Sequence, residues 1–436
     1  MKKTFDKIGL IFLLAFIVYL PFAELLSSFL EWHTGLSPNL IYWLAHWHWF
    51  AAVLFFVPAI VSMLLGKRKL SKSQILALLL LALGVLSIFF LSPSISRGIE
   101  GFRLTLFGLV FFLFASEINL SDKWRKNIIA TYLFIAMFMA LWALLERFFP
   151  LKYWGVLGVI NPDLMFGYGW HGAGSLMQSA SFLGGPNQLG SYLLPAFFLA
   201  VVSIKYQILS NAISNNLGKI SNTIFKRKTT NKLRPIFYFI LSTLYLITIL
   251  LASSRSAIVG LAVGIALLAW TQKKLVLRVG AFSGLGISVI FVLWLLAAHP
   301  HLGDIITHGA SQSGHAESLK ITNQEIQARL HEPIKLIFGA GVGTAGPIAI
   351  KYGGIISESW YLQIILELGI VGLALFLAFF YYLGQELWHK GERGLFFGFI
   401  AVLVAALFLH TLSDNPALTY TIFILIGLSL TKENDV

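Results

Sequence analysis

The chain predicts an all-α, polytopic transmembrane helical bundle of about 12 spans. Three observations predict it. Mean hydropathy is +0.80, and 57% of the 436 residues are hydrophobic while 12% are charged. Apolar runs of about 17–25 residues recur from end to end, each long enough to cross ~30 Å of hydrocarbon. The runs are continuous rather than alternating, which excludes a β-barrel.

Spans are expected at 8–30, 41–65, 74–92, 99–118, 127–148, 188–204, 235–252, 256–271, 275–298, 359–385, 394–413 and 417–431. The first follows Met1-Lys2-Lys3 with no small-residue cleavage site after it, so it reads as a retained helix rather than a signal peptide. Trp43, Trp47 and Trp49 give the second an interfacial aromatic belt, with His46 and His48 beside them. Basic residues precede the third (Lys67 to Lys72) and the fifth (Lys123, Arg125, Lys126). Residues 149–187 form a long loop, and Gly-Gly-Pro-Asn opens the sixth span. The segment 205–234 is basic and rich in Asn, Ser and Lys, which reads as a connector. Ser253-Ser254-Arg255 makes a tight hairpin between spans seven and eight, and 299–358 is a large loop between spans nine and ten. Nothing suggests a separate soluble domain or a fixed-period repeat, so 1–436 reads as one integral membrane domain.

With this arrangement 23 Lys and Arg residues fall on the side of the termini and seven on the other. The positive-inside rule then places both termini in the cytoplasm and the loops 149–187 and 299–358 outside. The net charge of +13 is thereby a topology signal, not a nucleic-acid surface. There is no cysteine, which excludes disulfides, thiolate nucleophiles and Cys-based metal sites.

Charges near the outer surface need a reason to be there. Arg103 lies a turn inside its span, close to Arg97 and Glu100, and Arg255 starts a helix. One reading is a set of guanidinium forks gripping an anion such as a lipid diphosphate. The other is snorkelling, or an ion pair with Glu100. Glu358, just before span ten, and His315 in the large loop are the candidate general bases. His299, His301 and His308 are too loosely spaced for zinc. The run Gly339-Ala340-Gly341-Val342-Gly343-Thr344-Ala345-Gly346 lacks the strand–turn–helix context of a nucleotide loop. Glu317 to Leu330 carries periodic apolar positions (Leu319, Ile321, Ile326, Leu330) and reads as an amphipathic helix on the membrane surface.

Four segments in this order resemble a known family: Gly184-Gly185-Pro186-Asn187-Gln188-Leu189-Gly190, Ser254-Arg255-Ser256-Ala257, Gly339-Ala340-Gly341-Val342-Gly343-Thr344, and Trp360-Tyr361-Leu362-Gln363 through Gly369 to Gly372. Together with the large outer loop before the last of them, they resemble the O-antigen ligase and O-antigen polymerase superfamily over roughly residues 170–385. The resemblance implies a GT-C-like fold. It implies transfer of a glycan from an undecaprenyl diphosphate-linked donor to an acceptor glycan or glycolipid, at the outer face of the bacterial cytoplasmic membrane. No metal, cofactor or nucleotide sugar is implied. Gln178, Ser181 and Asn187 are the residues expected to shape the backbone or meet glycan. Gln178 stands where many members carry Arg, and Glu358-Ser359 where ligases have His-Asn.

The chemistry that follows has Arg255, with Arg103 or Arg97, stabilising the departing diphosphate. Glu358, or His315 in second place, takes the proton of the attacking hydroxyl, and a single displacement inverts the anomeric carbon. The loop 299–358 caps the site. Ligase and polymerase both remain open, as do a transporter or lipid flippase and a catalytically inactive relative.

Overall fold

The computed structural model describes residues 2–23, 69–148, 185–220, 233–271 and 309–431, with a few isolated positions besides. Fifteen α-helices run through the described residues. They are α1 (Lys2–Tyr19), α2 (Lys72–Phe90), α3 (Ile95–Thr105), α4 (Phe107–Glu117), α5 (Asp122–Phe148), α6 (Pro186–Ile220), α7 (Leu233–Ala252) and α8 (Arg255–Trp270). After these come α9 (Gly309–Arg329), α10 (Pro333–Phe338), α11 (Pro347–Ile350), α12 (Trp360–His389), α13 (Arg393–Ala405), α14 (Thr411–Asp414) and α15 (Pro416–Leu430). One isolated parallel bridge joins Ala345 to Ile355.

The described residues are all-helical, and the protein is a membrane protein. Among the described residues five helices are long and apolar enough to span a bilayer, or six if the bent pair α3–α4 is one span. The shorter apolar helices α8, α13 and α15 accompany them. The expected spans at 41–65 and 275–298 lie almost wholly outside the described residues.

Helix α15 is the shaft of the bundle, with every residue from Ala417 to Ser429 buried. Lipid tails are as apolar as leucine, so its packing rests on close contact rather than on the hydrophobic effect. Small residues make that contact. Gly108 of α4 lies against Thr419 and Phe423 of α15, and a β-carbon at Gly427 would stand 2.6 Å from the Phe112 carbonyl oxygen. One at Gly398 of α13 would stand 2.6 Å from Pro195 Cα of α6, and one at Gly260 of α8 would run into the Ala401 carbonyl.

A polar belt closes the end that carries the N-termini of α2, α5 and α13. Ser71 and Gln74 form a reciprocal capping box at the start of α2. Ser73 Oγ donates to Glu386 of α12 at 2.7 Å, and Gln74 Nε2 to Ser116 of α4 at 2.9 Å. Arg125 joins Asp122 to Glu392, and Arg393 stacks on Trp388. Lys390 Nζ donates to the Leu430 and Thr431 carbonyls at 2.7 and 2.6 Å, satisfying the C-terminal carbonyls of α15. This is the basic end; the opposite end is the site end.

The structure departs from the expected elements in five places. The span at 99–118 is bent by 52° at Leu106, because Thr105 is drawn to Glu367 while Leu106 packs over Gly84. The span at 359–385 breaks at Gly369 (φ 70°), where the Ile337 carbonyl leaves no room for a side chain. The span at 394–413 ends at Ala405, since the Ala406 and Leu409 carbonyls turn to accept the Trp360 N–H. The connector at 205–234 is helical as far as Ile220, in keeping with the helical spacing of Leu209, Ile213 and Leu217. Finally, the loop 299–358 holds three helices. In α9 Thr322 and Arg329 are buried, Ser318 and Ile326 half-buried, and Leu319 and Ile321 exposed, so its apolar residues are not gathered against the protein.

Gly260→Val is expected to unseat α8 from α13 and cost about 1–3 kcal/mol through overpacking. Gly384→Ala, whose β-carbon would meet nothing nearer than 3.6 Å, is expected to be neutral or slightly stabilising. Thermal unfolding of the two variants in detergent checks the pair.

Candidate functional site

The site end is organised by the glycine run. Gly339, Gly341, Gly343 and Gly346 all take positive φ, between 75° and 100°. A side chain would be strained at each, and the loop threads too tightly for one. A β-carbon at Gly343 would stand 2.5 Å from the Arg97 carbonyl oxygen, and one at Gly341 2.5 Å from Ser92 Cα. The loop thus lies directly on α3 and on the end of α2. Ser87 Oγ accepts from Val342 N at 2.9 Å, and Ser92 Oγ donates to the Val342 carbonyl at 3.0 Å.

Beneath the loop lies Glu367, fully buried in α12. Its Oε1 accepts from Gly343 N at 3.0 Å and Ala345 N at 3.4 Å, and its Oε2 accepts from Thr105 Oγ1 at 2.9 Å. The Leu366 and Glu367 carbonyls, on the last turn before the break, accept from Ala340 N (2.9 Å) and Gly341 N (3.1 Å). Buried Arg329 of α9 also donates to the Leu366 carbonyl, and pairs with Glu325 at 3.1 Å. This segment does not cradle a ligand; its amides are already occupied by the protein.

A hydrogen-bonded chain leads from Glu367 to a second polar cluster. Gln363 Nε2 donates to Thr105 Oγ1 at 3.3 Å, and Ser413 Oγ donates to Gln363 Oε1 at 2.7 Å. Ser413 belongs to α14, between His410 and Asp414. Asp414 Oδ2 accepts from Gln188 Nε2 at 2.7 Å, and Asn415 Nδ2 donates to the Gln188 carbonyl at 2.9 Å. Asn415 also caps α15 by accepting from Leu418 N at 3.0 Å. The His410 ring holds the Ser357 carbonyl at 2.8 Å through Nδ1. Asp414 is exposed to solvent, and this polar recess of α14 and the start of α6 is defined by the hydrogen bonds just given. The surrounding protein pushes the Asp414 carboxyl above the usual range, while His410 and the Gln188 amide pull it down.

The expected residues distribute around this recess. Asn187 and Gln188 lie in the first turn of α6, half-buried. One turn on, Gly190 packs against Ser254 and Ala257, which brings the start of α8 alongside. Arg255 is the first residue of α8 and is exposed, after Ser254 has capped the helix by accepting from Ala257 N. Arg103 closes α3, half-buried, its carbonyl accepting from Tyr420 of α15. Glu358 is half-buried, next to the carbonyl that His410 holds. Arg97 is drawn elsewhere: its Nε donates to the Gly343 carbonyl at 2.7 Å, and its guanidinium lies 5.2 Å over the Tyr352 ring. Glu100 pairs with Lys351 at 2.9 Å. His315 lies in α9, where only the backbone is described, and Gln178 and Ser181 lie outside the described residues. Among the described residues no group of three His, Asp or Glu side chains is placed to hold a metal ion.

Glu367, His410 and Asp414 were not singled out from the sequence. His410 and Asp414 have a signal, an i,i+4 His/Asp pair followed by Asn-Pro, but it falls at the end of an apolar run and reads as a helix boundary. Glu367 lies within the Trp360-to-Gly372 segment of the resemblance, but its signal is only that of a carboxylate in the middle of an apolar run. No family model matches the chain, and a search of curated proteins yields no match.

Glu367→Ala is expected to leave the Gly343 and Ala345 amides and the Thr105 hydroxyl unpaired, at about 1–3 kcal/mol for each buried donor. Limited proteolysis should then cut within 339–346 well below the melting temperature. An unchanged cleavage pattern would show that the loop does not depend on this carboxylate.

Proposed function

We propose that the chain is a membrane glycosyltransferase of the O-antigen ligase or polymerase kind, moving a glycan from an undecaprenyl diphosphate-linked donor to an acceptor hydroxyl. In this reading the chain has about 12 spans in a GT-C-like arrangement. It lies in the bacterial cytoplasmic membrane with both termini inside, as the Lys and Arg distribution favours. The site end then faces outward. Its partners are the lipid-linked donor, an acceptor glycan or glycolipid, and membrane lipid.

The observation that supports this best is Arg255. A helix N-terminus favours an anion, so a cation at the first helical position is electrostatically misplaced unless something negative sits with it. Arg255 is exposed there, and no hydrogen bond or ion pair holds its side chain among the described residues. The starts of α6 and α15 come to the same end, and Arg103 borders it from α3. A lipid diphosphate supplies the missing charge, and departs with more of it as the glycosidic bond breaks. The acceptor hydroxyl attacks from the recess, where Glu358 is the carboxylate that the family resemblance nominates as base. In this reading Asn187 and Gln188, in the first turn of α6, meet the glycan.

A second reading, a transporter, is favoured by one observation. Two helices break around one buried carboxylate, α3–α4 at Leu106 and α12 at Gly369, as in carriers that bind at a discontinuous helix. The glycine loop fills that break and occupies Glu367, which argues for the first reading.

Purified protein given undecaprenyl diphosphate-linked oligosaccharide separates the readings. A ladder of longer lipid-linked chains identifies a polymerase, and release of undecaprenyl diphosphate only with a separate acceptor identifies a ligase. No turnover by folded protein, with flux in proteoliposomes, identifies the transporter; neither activity identifies an inactive relative. Arg255→Ala is expected to lower transfer by about 10²–10³-fold with an unchanged melting temperature. Wild-type rates in that variant would remove Arg255 from the chemistry.

A further inference from the structure

Resting on that reading, we infer that His410 is the general base of the transfer, its Nε2 accepting the proton of the acceptor hydroxyl. Three features of the recess carry this. First, the ring is held in one tautomer. The Ser357 carbonyl oxygen, 2.8 Å from Nδ1, can only accept, so Nδ1 carries the hydrogen. In the neutral ring Nε2 is then the nitrogen with a free lone pair. The same bond fixes the plane of the ring, and His410 is half-buried rather than sealed.

Second, a carboxylate stands one helical turn further on. The Ser413 and Asp414 amides both donate to the His410 carbonyl at 2.8 Å, so α14 starts on His410 itself. His410 is among the groups that pull the Asp414 carboxyl down. Third, Asp414 is held in turn by Gln188 Nε2 at 2.7 Å. A base, a carboxylate one helical turn on and an amide that orients the carboxylate are thus assembled from two separate parts of the chain, the His410–Asp414 segment and the start of α6.

The step balances. The acceptor oxygen forms a bond to the anomeric carbon as its O–H bond breaks toward His410 Nε2. The bond from that carbon to the diphosphate oxygen breaks, and its electron pair leaves with the diphosphate. The imidazolium then returns its proton to solvent. Glu358 lies beside Ser357, whose carbonyl His410 holds. As a class, imidazole is better matched than a carboxylate to accepting a proton near neutral pH.

The bland account is that His410 merely ties the 406–410 turn to the start of α12. His410→Asn tells the two apart, because an asparagine amide can replace the Nδ1 donation to Ser357 but supplies no base at the Nε2 position. The assay is transfer from undecaprenyl diphosphate-linked oligosaccharide by the purified full chain, with melting temperature recorded alongside. The expected result is a loss of about 100-fold or more at an unchanged melting temperature, with Glu358→Gln slowing transfer less. Transfer by His410→Asn within about threefold of wild type overturns the inference while the transferase reading stands. A wild-type chain that transfers nothing overturns both. Should His410→Asn unfold, His410→Ala with added imidazoles decides. Rescue that rises with the basicity of the imidazole supports a base, and rescue indifferent to basicity, or none, overturns it.

Discussion

Glu367 receives hydrogen bonds from two directions: the Gly343 and Ala345 amides from the glycine loop, and the Thr105 hydroxyl from α3. A carboxylate fully buried in a helical bundle is costly unless its oxygens are satisfied, so this demand constrains everything around it. The loop must come close enough for its amides to reach, and only glycines at positive φ allow that path. Helix α12 must break at Gly369 to let the Ile337–Phe338 backbone past. Helix α3 must end at Thr105, which produces the bend before α4. Arg97 and Arg329 complete the arrangement by donating to backbone carbonyls that the loop and the break present.

The same network ties the second polar cluster to the loop. Glu367, Thr105, Gln363 and Ser413 are linked hand to hand, and Ser413 lies in α14 between His410 and Asp414. The 339–346 loop is therefore the support on which the polar cluster rests, rather than the cluster itself. This accounts for two arginines near one surface having different fates. Arg97 starts α3 beneath the loop and is spent on holding it. Arg255 starts α8 and is exposed.

Packing between the helices follows a different logic. Seams at Gly108, Gly260, Gly398 and Gly427 bring backbones together where hydrocarbon offers no hydrophobic drive to assemble. Polar pairs at the basic end fix the register of α2, α12, α13 and α15 relative to one another. With that end pinned and α15 wholly buried as the shaft, the helix starts at the site end are held in place for the recess.

Hydropathy and period are local properties, so the membrane class, the helical content and the places where most helices begin were legible in the residues alone. The Pro186-Asn187 start of α6 and the Ser254 cap ahead of Arg255 were legible for the same reason: capping is decided within four residues. What only the tertiary structure decided depends on partners far apart in the chain. The bend at Leu106 and the break at Gly369 arise from contacts with Glu367 and Ile337, and hydropathy passes smoothly through both. Arg97 reads as a candidate for gripping a diphosphate until the Gly343 carbonyl, 246 positions away, is brought to it. His410 reads as the end of an apolar run until Ser357 and Gln188 are placed beside it and its own helical turn. A side chain's role follows from the charge and the hydrogen-bonding groups around it, and in this bundle those groups come from other helices.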